Sequence, residues 1–113
     1  MKKYFIGFLA IILARDTNGQ DLPPQEQLSR LIANRMKDSL TLTSNQRNQL
    51  YQINIQLHDA KSGIRQTYAG SDSLLTVHIQ RIENARDSLY RPVLGEEKYF
   101  IYKQKKRNLV TTQ

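Results

Sequence analysis

The side chains that could bind a metal or transfer a proton are two histidines and the acidic residues near them. His58 and His78 fall on opposite sides of a predicted turn at Gly70. Their predicted positions are offset by about five residues, or roughly 7 Å along the helix axes. No set of His, Asp and Glu within one predicted helix has the spacing of a metal site. The sequence therefore predicts no metal site in one chain, although an oligomer could assemble one.

The usual sequence patterns of a catalytic site are also missing. The chain has no cysteine, no strand-turn-helix serine motif, no glycine-rich phosphate loop and no carboxylate pair placed in a cleft. The acidic residues nearest the histidines are interpreted as helix-surface and cap residues: Asp59, Asp72, Glu83 and Asp87. We therefore predict that the protein is not an enzyme and uses no cofactor.

The first twenty residues have the pattern of a secretory signal peptide. Lys2 and Lys3 precede an apolar run over residues 4–14, and this run is shorter than the roughly 17–25 residues of a membrane-spanning helix. The small residues Thr17 and Gly19 precede the predicted cleavage near residue 20. We therefore predict export from the cytoplasm, with no stable membrane anchor after cleavage. An uncleaved signal or N-terminal anchor is the alternative.

The charge of the chain limits the kinds of partner. There are 17 basic and 10 acidic side chains, a net charge of +7. Cleavage after residue 20 would remove three basic residues and one acidic residue, which leaves 14 and 9 and a net charge of +5 over residues 21–113. A basic cluster lies near the end of the chain: Lys103, Lys105, Lys106 and Arg107.

In a cytosolic protein that cluster would suggest nucleic acid as a partner, but export argues against it. For an exported protein, one candidate partner of the cluster is an acidic patch on an unfolded or partly folded protein. Anionic lipid head groups are an alternative, and a charged helix end that only contacts solvent is another.

The spacing of apolar residues predicts a single all-α domain over residues 21–113. Its best-determined element is helix two, which begins with a capping box formed by Thr43 and Gln46 and runs to about Tyr68. One narrow apolar stripe recurs at steps of three and four: Leu50, Ile53, Leu57, Ala60 and Ile64. A stripe of that width predicts packing against another helix.

Three more helices bring the predicted number to about four. Helix one covers residues 25–40, helix three runs from the turn at residues 69–73 to Tyr90, and helix four covers residues 93–110, with Pro92 as the stop between the last two. The predicted stripe of helix one is Leu28, Leu31, Ile32, Met36 and Leu40. That of helix three is Leu75, Ile79, Ile82, Ala85, Leu89 and Val93.

Both stripes beside the turn have near-heptad spacing, so helices two and three are predicted to form a long antiparallel hairpin as the core of the fold. Gly70 is the expected left-handed end of helix two, and Ser71 or Ser73 the next N-cap. Tyr51 and Ile55 lie opposite the stripe of helix two. They are candidate contacts for a client protein or a dimer partner, with ordinary scattered surface residues as the alternative.

The segment Leu42-Thr43-Ser44-Asn45-Gln46 resembles the L-T-x-x-Q motif of the Spy/CpxP family of periplasmic chaperones and envelope-stress proteins, which carry two such motifs. The second copy would be Leu94-Gly95-Glu96-Glu97-Lys98, fifty-two residues later. Glycine there replaces the expected threonine and lysine the expected glutamine. With this offset Leu50 aligns with Tyr102 and Leu57 with Leu109.

The resemblance implies a periplasmic four-helix protein built on a hairpin, often a dimer, that binds non-native proteins without ATP. It implies a structural role for four residues at the helix junction: Leu42, Thr43, Gln46 and Leu94. It does not supply client contacts. A periplasmic accessory or sensor subunit of an envelope-stress or metal-responsive system is the competing function, and a purely structural helical module is a third.

Overall fold

A computed structural model describes residues 22–110 of the protein. These residues form α1 (Pro24–Leu40), α2 (Ser44–Thr67) and α3 (Asp72–Val110), with no strand among them, which confirms the all-α prediction. The predicted signal peptide lies outside the described residues. Within residues 22–110, no helix combines the length and the apolar character that crossing a membrane requires.

A short connection separates the first two helices. It lies where the predicted end of helix one and the predicted capping box place it. Helix α1 ends where Thr41 takes a left-handed conformation with φ 56°. Helix α2 begins with the predicted capping box. The Gln46 amide N–H donates to Thr43 Oγ1 at 3.1 Å, and the Thr43 N–H donates to Gln46 Oε1 at 2.9 Å. The cap prediction is therefore confirmed.

The turn after α2 is tighter than predicted. The helix ends at Thr67, before Gly70 can act as its cap, and the Ser71 N–H donates to the Tyr68 carbonyl at 3.0 Å. Gly70 is not left-handed, so its predicted role is wrong. Ser71 does precede α3, and its carbonyl accepts the N–H of Leu75 at 2.9 Å.

Helix α3 changes direction at Gly95, where φ 81° and ψ 164° are not helical. A straight helix would place residues fifteen apart at a separation of about 22 Å. The Tyr102 hydroxyl and the Asp87 carboxylate are instead 2.8 Å apart. Helix α3 therefore folds back on itself, and we call residues 72–94 its first arm and residues 96–110 its second arm.

The predicted stop at Pro92 is wrong, because this proline lies inside α3. It sits in the last turn of the first arm, three residues before the change of direction, and its missing N–H removes one helical hydrogen bond, to the carbonyl of Ser88. The combination φ 81°, ψ 164° at Gly95 is a region that only glycine adopts readily. Glycine, and not proline, therefore sets the position of the break.

The core is formed by residues of all three helices. Its fully or nearly fully buried apolar members are Ile32, Ala33, Met36, Leu40, Leu42, Leu50, Tyr90, Leu94, Tyr102 and Leu109, with Leu57 buried as well. The prediction of burial is wrong for four residues of the apolar stripes, which are exposed: Leu31, Ala60, Ala85 and Leu89. On the first arm of α3 the buried residues are Arg86, Tyr90 and Leu94. Each follows a residue of the predicted apolar stripe by one position, so the buried face is rotated by about 100° from that stripe.

Residues of α2 contact residues of the first arm of α3 at increasing distances from the turn between them. Next to the turn, the rings of Tyr68 and His78 stack with centroids 4.4 Å apart. Farther along, Lys61 pairs with Glu83. Near the other end, Gln46 reaches the Val93 carbonyl. These contacts hold the two helices together along most of their length.

Candidate functional site

The two motif segments meet at one junction of the fold. The Gln46 side-chain amide donates to the Val93 carbonyl at 3.0 Å. The Lys98 ammonium group donates to the Thr41 carbonyl at 2.6 Å. An offset of fifty-two residues converts Gln46 into Lys98 and Thr41 into Val93, so the two hydrogen bonds occupy equivalent positions in the two segments. Each segment binds the backbone just before the other one.

The correspondence between the two segments extends into the core. Leu42 and Leu94 are both buried, with 6% and 4% of their surfaces exposed. The aligned pairs farther along are buried as well: Leu50 with Tyr102, and Leu57 with Leu109. Lysine replaces glutamine in the second segment but still supplies the donor. The junction therefore joins α2 to the first arm of α3, and the connection between α1 and α2 to the second arm.

A second cluster of polar residues lies inside the bundle. The Asn54 amide donates to the Ser29 carbonyl of α1 at 3.0 Å. Its carbonyl oxygen accepts from Arg86 at 3.2 Å and from the Tyr90 hydroxyl. Arg86 also donates to Tyr90 at 2.9 Å. All four residues are buried, and the cluster links α1, α2 and α3.

Glu83 completes this cluster toward solvent. It accepts from Arg86 Nε at 3.1 Å and pairs with Lys61. Burial alone would raise the pKa of the Glu83 carboxyl, but hydrogen bonds from Lys61 and Arg86 outweigh burial and lower the pKa. Burial raises the pKa of the Tyr90 hydroxyl, so it remains a neutral donor. Glu83 was predicted to be a surface residue, and the structure corrects this to an ion-pair partner.

Asp87 forms a third polar cluster, between the two arms of α3. Its carboxylate accepts from the Tyr102 hydroxyl at 2.8 Å, from Lys103 at 2.8 Å and from Lys106 at 2.9 Å. Burial would raise the pKa of Asp87, and these three hydrogen bonds outweigh it and lower the pKa. Asp87 was also predicted to be a simple surface residue. It is instead the clasp that holds the arms together.

The clasp changes the interpretation of the basic cluster near the chain end. Lys103 and Lys106 form ion pairs with Asp87, so two of the four basic residues of the cluster connect the arms of α3. Lys105 and Arg107 are exposed. Phe100, which is 63% exposed, precedes Lys103 and Arg107 by one and two helical turns. The outer side of the second arm therefore presents one aromatic ring beside basic groups.

Tyr51 and Ile55 are only half exposed. Tyr51 packs against the core, and its ring lies between two guanidinium groups, with Arg30 at 5.9 Å and Arg47 at 5.8 Å from the centroid. Such cation–π contacts stabilise an exposed site by about 0.5–1 kcal/mol each. Ile55 lies one helical turn farther along α2. The pair does not form an exposed apolar patch by itself.

Three of the exposed large apolar residues lie on one side of the first arm of α3. Leu74, Val77 and Leu89 are 47%, 46% and 41% exposed. They recur with two other exposed residues at steps of three and four, and we call this set the outer face: Leu74, Val77, Arg81, Ala85 and Leu89. It extends over about 22 Å. Its one charged residue is basic.

The two histidines do not come together. His78 is stacked on Tyr68 at the turn, whereas His58 lies on α2 beside Lys61 and Arg65. Within residues 22–110, no group of three His, Cys, Asp or Glu side chains could hold a metal ion. The histidines therefore act in separate surroundings.

Sequence reasoning missed the residues that make the polar clusters. Asn54 falls between Leu50 and Leu57 at helical spacing, and this polar residue inside an apolar stripe was a usable signal. Arg86 and Tyr90 carried a weaker signal, because both types are common at helix surfaces.

The comparisons with known proteins contribute no relative. No protein-family model matches the chain, and no curated protein or solved structure is significantly similar to it.

Proposed function

We propose that this is an exported, ATP-independent chaperone-like protein that binds non-native proteins in the cell envelope. The observation that carries the proposal is the outer face of α3. It offers three large apolar side chains, each more than two-fifths exposed, around a single arginine. Unfolded segments expose apolar side chains, and such a face can bind them by burial of apolar area.

The scaffold of this proposal is an antiparallel hairpin. The pairing of Tyr68 with His78, Lys61 with Glu83 and Gln46 with Val93 supports it. Counting the two arms of α3 separately makes the fold a four-helix arrangement. The polar clusters fix the register of the hairpin, so the outer face stays exposed instead of turning inward.

Charge would assist the encounter with clients. The chain is basic, and Lys105 and Arg107 are exposed on the second arm. Attraction over long distances speeds the association of oppositely charged partners and weakens with salt. A shallow apolar surface then holds the client weakly, because only a few side chains are buried on binding.

The proposal is tested by aggregation of an unrelated unfolded substrate, followed by light scattering with stoichiometric protein and no nucleotide. The informative variant replaces Leu74, Val77 and Leu89 with serine. The matched control replaces them with Met, Ile and Met, which keeps the surface apolar. Leu31→Ser removes an exposed leucine from α1, 48% exposed, and serves as the second control.

We expect wild type and both controls to suppress aggregation, and the triple serine variant to lose most of this activity while its thermal melt is retained. Equal suppression by all four proteins would remove the outer face from the proposal. Lack of suppression by wild type would contradict chaperone function and favour the accessory or sensor subunit.

A further inference from the structure

A groove separate from the outer face opens between α1, α2 and the end of α3. Its outer part has a volume of about 370 Å³ and is lined by residues of α1 and α2, including Pro24, Leu28, His58 and Arg65. Its inner part, about 150 Å³, shares Leu28, His58 and Arg65 and ends at Arg86 and Val110. The volume of the outer part is within the range of small-molecule sites.

The groove has an excess of positive charge. Lys61 and Arg86 share one carboxylate, Glu83, so this trio keeps one positive charge. Arg65 and Asp59 line the outer part and offset each other in charge. Arg65 forms no ion pair within the described residues, and its guanidinium group is therefore available to a ligand. The groove as a whole carries one uncompensated positive charge.

Part of the groove lining is apolar. Leu28 and Ile32 of α1 and Val110 at the end of α3 line the inner part, together with the polar Ser29 and Asn54. A ligand that neutralises one charge and also buries an apolar chain would use both the cationic and the apolar side chains. A small inorganic anion would leave the apolar side chains uncovered, and a neutral hydrocarbon would leave the cationic groups without a counter-charge.

We propose that this groove binds a monoanionic amphiphile, with a carboxylate head at Arg65 and Lys61 and an apolar chain along Leu28, Ile32 and Val110. A single negative charge matches the single excess positive charge. The site is distinct from the outer face, since none of the outer-face residues lines it. The proposal therefore stands or falls independently of chaperone function.

His58 reports on the charge of a bound head group. Burial lowers its pKa, and Lys61, Arg65 and Arg86 lower it further, against a smaller opposing effect of Asp59. The residues of α1 that line the outer groove, Pro24, Gln25 and Leu28, are uncharged. A carboxylate bound beside these cations offsets them, so the pKa of His58 should rise on binding.

The test is calorimetric titration of the full chain with decanoate below its micelle-forming concentration. Acetate tests whether binding needs the hydrocarbon chain of the ligand. Decyltrimethylammonium tests the sign of the head-group charge, and decyl phosphate tests the magnitude of that charge. The variant is Arg65→Gln. Its matched control is Arg81→Gln, which removes another exposed arginine, on the outer face of α3.

We expect one decanoate per chain, no binding of acetate or the cationic amphiphile, and weaker binding of decyl phosphate. Arg65→Gln should weaken the binding of decanoate about fivefold, and Arg81→Gln should leave the affinity for decanoate unchanged. Decanoate should also move the His58 NMR titration to higher pH. Equal loss in both variants, binding of the cationic amphiphile, or an unmoved His58 titration would overturn the proposal, as would tighter binding of decyl phosphate.

Discussion

Replacement of Asp87 with asparagine tests whether the clasp between the arms of α3 stabilises the fold by its charge. Asparagine keeps a carbonyl oxygen that can accept the Tyr102 hydroxyl, which is 2.8 Å from Asp87. The change therefore removes the negative charge and retains the shape. The Asp87 side chain is only 15% exposed, so solvent replaces its charged partners poorly.

The expected cost is about 1–2 kcal/mol at neutral pH. A hydrogen bond to a charged group contributes roughly 1.5–3 kcal/mol, and one between neutral groups roughly 0.5–1.5 kcal/mol. The difference for Tyr102 is thus about 1 kcal/mol, and the half-buried Lys106 pair adds up to about 1 kcal/mol after screening. Lys103 is exposed, and we assign its ion pair no share.

The effect must also depend on pH in one direction. The folded-state pKa of Asp87 lies below its ordinary value of 3.8. The carboxylate therefore contributes its full stability above that value, and this contribution is lost as the pH falls through the folded-state pKa. Asparagine does not titrate, so wild type and variant should converge in acid.

Urea unfolding followed by circular dichroism at about pH 7 and about pH 3 measures this. Glu83 also titrates with a lowered pKa, but it is present in both proteins and cancels in the difference. A difference of 1–2 kcal/mol that shrinks in acid supports the clasp. A difference that is zero at pH 7, or that is the same at both pH values, would refute it.

Four further predictions concern separate parts of the fold, and the free energy of unfolding in urea measures each of them. Gly95→Ala should cost about 1–3 kcal/mol, because a side chain is strained at φ 81°; an unchanged melt would show that the arms do not need this turn. Leu57→Ala should cost about 2–5 kcal/mol, and Ile55→Ala and Ile82→Ala clearly less, because both isoleucines are half-buried; equal losses would mean that the buried face is misassigned. Thr43→Ala should cost about 0.5–2 kcal/mol through loss of the N-cap, and client binding per folded molecule should not change. Lys106→Gln should destabilise and Lys105→Gln should not, because Lys106 pairs with Asp87 and Lys105 is exposed; equal melts for the two variants would contradict this difference.

Local signals predicted the beginning of the fold better than its end. The Thr43–Gln46 capping box sets the start of α2 through contacts three residues apart, and such contacts can be identified in a sequence. The change of direction in α3 depends on Gly95, but Pro92 gave the stronger signal. The helix continues through the proline at the loss of one backbone hydrogen bond and breaks only at the glycine.

The buried face of α3 could not be predicted from hydrophobicity. Arg86 and Tyr90 are buried because Asn54 and Glu83 supply their hydrogen-bond partners, and these partners lie on other turns or another helix. Satisfied polar residues thus occupy positions that the pattern assigned to Ala85 and Leu89. The displaced apolar residues form part of the outer face, so the error in the core prediction located the candidate binding surface.

The candidate client residues show the same limit. The sequence identified the basic cluster at residues 103–107, but not that Asp87, sixteen residues before Lys103, binds two of its lysines. Tyr51 was predicted to lie opposite the main stripe of α2, but it packs against the core, and its two arginine neighbours come from different helices. Side-chain partners across a fold are set by packing, which a single sequence does not specify.

The most direct test of the central claim, that the outer face of α3 binds non-native proteins, is methyl NMR of the protein with an unfolded, aggregation-prone substrate. We expect signals of Leu74, Val77, Ala85 and Leu89 to shift or broaden on addition of the substrate. Those of the buried methyl groups of Leu50 and Leu57 should stay unchanged, because the fold is retained. Unchanged signals across the outer face while the substrate is bound would contradict the account.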